Sequence, residues 1–124
     1  MAAQRAKELE RASRLDPSIL DPDELVAMME FEDWTVRMHL CRMVPRVEWP
    51  EPVRPQVLAF AFKEAGSQNK FVRAWALDAL SHLAVEDEAI QPEVLMMLQG
   101  AVESGLPSVK VRAGLGIQLL LGSH

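Results

Sequence analysis

Long apolar runs are missing from this 124-residue sequence, and no stretch approaches the roughly 18 consecutive apolar residues of a membrane span. Cysteine occurs once, at Cys41, which leaves no intramolecular disulfide and points to a reducing compartment, the cytoplasm. Residues Met1 to Glu10 alternate charge with no apolar stretch, so no secretory leader is expected there. The two-residue alternation of strands and the dipeptides of β-hairpin turns are also lacking. A glycine-rich phosphate loop, a His-Glu-x-x-His and a Cys-x-x-Cys are all missing, which removes the common nucleotide, zinc-hydrolase and redox constellations. What is there is 49% hydrophobic and 25% charged residues, the balance of a folded globular chain of one domain and one core. The net charge of −5 repels a phosphate backbone unless one face is locally basic.

One pattern recurs. Val36-Arg37, Val72-Arg73 and Val111-Arg112 stand 36 and then 39 residues apart. Three positions before each valine lies Asp33, Asn69 or Ser108, side chains able to cap the free N–H groups of a starting helix. Four positions after come Leu40, Ala76 and Leu115, and eight after come Val44, Leu80 and Leu119, the stripe of one helix face. The sequence thus predicts one helix written three times. A partner helix precedes each copy. The first starts at Asp21-Pro22-Asp23-Glu24, with Asp21 as cap and Glu24 placed to complete a capping box. The second follows Trp49-Pro50-Glu51-Pro52 and stops at Gly66, and the third runs from Pro92 to Gly105. The expected architecture is all-α: three hairpins at about 17–47, 50–84 and 91–122 within a repeat domain of 16–124. Residues 1–15 form an N-terminal capping helix or a tail.

The stretch Asn69-Lys70-Phe71-Val72-Arg73-Ala74-Trp75-Ala76-Leu77-Asp78-Ala79-Leu80-Ser81-His82-Leu83 resembles the second helix of a HEAT repeat, and 33–47 and 108–121 resemble it more loosely. The resemblance implies a short right-handed α-α superhelix acting as a non-catalytic scaffold for a protein partner. Two departures stand out. The aspartate that HEAT repeats often place six residues before the arginine is replaced by Phe31, Ser67 and Leu106, and Gly114 and Gly116 take places where alanine is usual.

Charge is segregated. The second helices hold seven basic residues against two acidic ones, net +5, which leaves −10 for the rest. Arg37, Arg73 and Arg112 are expected to form a row, one per repeat. Two readings of that row stay open: an anion-binding groove, or bridges to neighbouring carbonyls and carboxylates. The partner-binding face is assigned to Arg37, Arg42, Arg73, Asp78, His82 and Arg112, with an acidic protein segment as ligand. The alternative is a nucleic-acid-binding module related to the HEAT-like DNA glycosylases, suggested by Trp75 and Asp78 beside Arg73. A lone tryptophan on the stripe 72, 75, 76, 79, 80, 83 reads first as packing. A bilin-attaching HEAT protein is a third analogy, supported by no motif.

No catalytic, cofactor or metal residues are assigned. His39 and Cys41 are two apart on a helix and point to different sides, His82 stands alone, and His124 lies at the end. Cys41 reads as a small buried hydrophobe. The pairs Met28-Met29 and Met96-Met97 read as gap fillers between helices. Leu119, Leu120 and Leu121 end a helix that is apolar on nearly every side, and they are assigned to a self-association edge that would make a homodimer.

Overall fold

Side-chain caps open the helices where the sequence offers them. In the computed structural model, which describes residues 1–122, Asp21 accepts from the Asp23 N–H at 3.0 Å and opens α2 (Pro22–Met28). Asp33 accepts from the Thr35 N–H at 2.8 Å and opens α3 (Trp34–Met43). Asn69 accepts from both Phe71 and Val72, at 2.9 and 3.2 Å, and opens α5 (Lys70–Val85). Proline occupies the first turn of α4 (Arg54–Glu64) and α6 (Gln91–Ser104) and the first position of α7 (Pro107–Gly122), where its missing N–H removes no helical bond. α3 stops where Pro45 enters, and the chain tightens into a 3-10 turn over Val44–Arg46. No strand is present among the described residues, and none of their helices is long and apolar enough to cross a membrane. The fold is all-helical, as expected.

Residues 2–13 form the helix α1 (Ala2–Ser13), whose buried stripe is Ala6, Leu9, Glu10 and Ser13. That stripe lies against α3, α3 packs on α5 and α5 on α7, while α2, α4 and α6 each lie against the helix that follows. Glu24, rather than closing a capping box, receives Arg5 of α1 at 3.1 Å. α5 is the hub. Its Ala74, Ala76, Ala79 and Ala84 are all buried, and small side chains there let α3, α4, α6 and α7 approach one axis.

The third copy of the repeat is out of the register read from the dipeptides. Val36 and Val72 are both 0% exposed, but Val111 is 59% exposed and Val109 is the buried valine of α7. Buried positions then align as Val36, Val72, Val109, as Leu40, Ala76, Ala113, and as Met43, Ala79, Gly116, a nearly even spacing of 36 and 37 residues. The cause is local: the helix begins at Pro107, so Ser108 is already inside it and does not cap it. Leu115, expected on the buried stripe, is exposed for the same reason. In this register Arg112 falls opposite Trp75 and His39, and Lys110 falls opposite Arg73 and Arg37.

The two glycines of α7 differ in kind. A Cβ on Gly116 would crowd Ser81 Oγ and stand 3.0 Å from Leu98 Cδ2, so α7 crosses α5 and α6 closely there and those side chains must shift to admit a larger residue. A Cβ on Gly114 would meet nothing within 4 Å. Opposite effects on thermal or urea unfolding follow. Gly116→Ala is expected to destabilise by about 1–3 kcal/mol through overpacking. Gly114→Ala is expected to stabilise by roughly 0.5–1 kcal/mol through helix propensity.

Candidate functional site

The most heavily coordinated group in the chain is a carboxylate. Glu10 of α1 is 1% exposed, and its oxygens receive Arg14 Nε at 2.7 Å and Nη2 at 3.1 Å from the C-cap of its own helix, and Arg46 Nη1 at 3.2 Å from the 3-10 turn after α3. Arg42 Nε lies 2.8 Å from Oε1 but is not aimed along a hydrogen bond, so the contact is an ion pair. Arg46 also donates to the Glu10 carbonyl at 3.1 Å and to Ser13 Oγ at 2.9 Å. His39 Nδ1 lies 3.7 Å from Oε1. Burial alone would raise the Glu10 pKa, but the hydrogen bonds from Arg14 and Arg46 and the charge of Arg42 outweigh it, so the carboxyl titrates below its ordinary range. His39 moves the other way from a cation: burial pushes its pKa down against the pull of Glu10.

Arg42 has a second engagement. Its guanidinium carbon stands 4.6 Å from the centre of the Trp75 ring on α5, and that of Arg112 on α7 stands 4.0 Å from the same ring. The central helix thus presents an indole flanked by one arginine from each neighbour. Both guanidiniums gain from the ring's quadrupole, and Arg42 does so while its Nε faces Glu10. Arg112 makes no hydrogen bond or ion pair to any described residue. One turn beyond Trp75 comes Asp78, whose carboxylate accepts no hydrogen bond from a described residue and has only His82 Nδ1 nearby, at 3.7 Å. Burial raises the Asp78 pKa, and the charges of His82, Arg112 and Arg46 only partly oppose this. Past His82 the face opens into a groove of about 390 Å³ walled by Val44, Val47, Trp49, Leu83 and Leu119.

The expected row of arginines is not assembled. Arg37 forms a largely buried ion pair with Glu64 of α4 and lies near the Phe60 ring. Arg73 donates to the Ser67 carbonyl at 3.1 Å, tying down the turn after α4. These two bridge, and Arg112 alone of the three is free to bind. Arg42, Asp78, His82 and Arg112 do come together, joined by Trp75, Arg46 and Arg14, which sequence reasoning did not assign. Trp75 is half-buried and packs against the core, as its place on the stripe predicts, and it also has Arg42 and Arg112 close to its ring.

The C-terminal leucines part company as well. Leu120 is 2% exposed and belongs to the core, Leu119 is a wall of the groove, and only Leu121, 59% exposed, faces outward with Val111 and Leu115. Cys41 is fully buried, its thiol pKa pushed up by burial. Among the described residues no group of three or more His, Cys, Asp or Glu could hold a metal ion, and His124 lies outside them. No family model, curated protein or solved structure matches the chain.

The two carboxylates of the cluster predict opposite stability effects. Glu10 has a depressed folded pKa, so its contribution is present above the unfolded carboxyl value and lost as pH falls through the folded one. Glu10→Gln is expected to lower unfolding free energy by about 2–3 kcal/mol at pH 7, with the gap to the wild type closing as pH falls to about 3. Asp78 has a raised folded pKa, so its ionised form weakens the fold at neutral pH and its protonated form does not. Asp78→Asn is expected to raise stability by up to about 1 kcal/mol at pH 7 and to change little near pH 3, measured by the same denaturant melts.

Proposed function

We propose that this chain is a non-catalytic interaction module, built as a short HEAT-like helical repeat, that binds an acidic segment of a protein partner across α3, α5 and α7. The observation that carries the reading is the pair Arg42 and Arg112 set over Trp75, Arg42 also paired with Glu10 and Arg112 with no hydrogen-bond or ion-pair partner among the described residues, in a chain whose net charge is −5. Guanidiniums held against an aromatic face lose little freedom on binding a carboxylate, which favours bidentate recognition. Asp78 sits among them as a counter-charge and limits how tightly any anion is held. The setting that fits is cytoplasmic, where Cys41 stays reduced. Self-association through the α7 end of the fold would have Val111, Leu115 and Leu121 of α7 exposed to it, with Met96 and Val102 of α6 and Leu106 exposed nearby in the chain.

A nucleic-acid backbone is the second reading, favoured by the same tryptophan, aspartate and arginines in one basic cluster. Fluorescence anisotropy with labelled oligoglutamate and with a labelled 20-base-pair duplex, both at about 50 mM salt, separates the two. Oligoglutamate is expected to bind and the duplex not to. Arg42→Glu with Arg112→Glu is expected to weaken peptide binding at least about tenfold, Asp78→Asn to strengthen it severalfold, and Arg73→Gln to leave it unchanged because Arg73, tied to the Ser67 carbonyl, lies beside Ala65, Met97 and Ala101 and away from Trp75. Duplex binding that falls steeply with salt, with no peptide binding, would reverse the order of the two readings.

A further inference from the structure

The groove beside the arginine cluster has no role in binding charge. Its walls are Val44, Val47, Trp49, Leu83 and Leu119, and Trp49 is fixed there by donating from Nε1 to the Val44 carbonyl at 3.0 Å. Its rim carries Arg46, Arg54 and His82 against Glu48 and Glu86, so the groove is close to neutral. The excess positive charge lies farther along α5, at Arg42 and Arg112. Trp75, Asp78 and His82 stand on one face of that helix, and the rise from Trp75 to His82 is about 10 Å. An apolar slot and a cationic platform are thus held at fixed separation on the rigid central helix. A volume of about 390 Å³ has room for one large side chain with its flanking backbone.

Resting on the proposed reading, we infer that the groove takes a single large apolar side chain of the partner segment while carboxylates about 10 Å away on that segment reach Arg42 and Arg112. The occupant is a protein segment because a nucleic-acid backbone offers no apolar side chain for the walls. Its charge is acidic because Arg112, whose side chain has no hydrogen bond or ion pair to a described residue, stands beside the groove with Arg42, and Arg54, unpaired among the described residues, lies on its rim. The anchor supplies burial and the carboxylates supply orientation, so neither half alone suffices for specific binding.

Panning a random peptide library displayed on phage against the full chain at about 50 mM salt tests this. Enriched peptides are expected to carry two or more Asp or Glu and one Leu, Met, Phe or Trp at constant spacing from them. A synthetic consensus peptide should bind at least about tenfold more weakly when that apolar residue becomes alanine. Leu119→Ser, with helicity checked by circular dichroism, should bring the same loss for the consensus peptide and little further loss for the alanine peptide. Acidic peptides with no fixed apolar position, or an alanine change worth less than about twofold, would overturn the inference and leave the proposed function standing. A consensus without acidic residues would overturn both.

Discussion

Everything on the arginine face depends on one buried carboxylate. A charge as deeply placed as Glu10 is tolerable only if its partners repay the lost hydration, and here three guanidiniums do so. The arrangement fixes more than α1. It holds Arg46 of the turn after α3 against Ser13, and it holds Arg42 at the angle from which its guanidinium reaches Trp75. The arginines of α3 would otherwise repel one another. Glu10 is therefore the condition under which a positive face can be concentrated on one side of an acidic protein.

The repeat was legible where the dipeptide and the burial coincide. Val36 and Val72 carry caps, stripe and arginine in one phase, and α3 and α5 follow that phase residue by residue. The third copy misleads because its Val-Arg pair stands two residues past the structural position. A proline opening the helix at Pro107 shifts the frame, and only burial reveals Val109 as the true counterpart. Arg112 and Trp75 were each visible as residues, but their meeting follows from the corrected frame. Glu10 left a fainter mark, an acid on the stripe of Ala6, Leu9 and Ser13. Reading it requires knowing that α3 covers that stripe, which is a tertiary fact.

Two carboxylates share this basic neighbourhood and are treated unequally. Glu10 is saturated with donors, and Asp78 is left with a histidine at 3.7 Å and no hydrogen bond from a described residue.

Arg42 belongs to both halves of the face at once, an ion pair on one side and an aromatic stack on the other. A ligand that draws its guanidinium outward must loosen its hold on Glu10, and loosening of α1 must in turn release the guanidinium toward the ligand. By thermodynamic reciprocity the two effects are equal in free energy. The first helix is then more than a cover for the end of the fold: on the proposed reading, its tendency to detach and the face's affinity for an acidic partner would be one linked equilibrium, and a change in α1 that alters its seating would be felt at Trp75 without touching it.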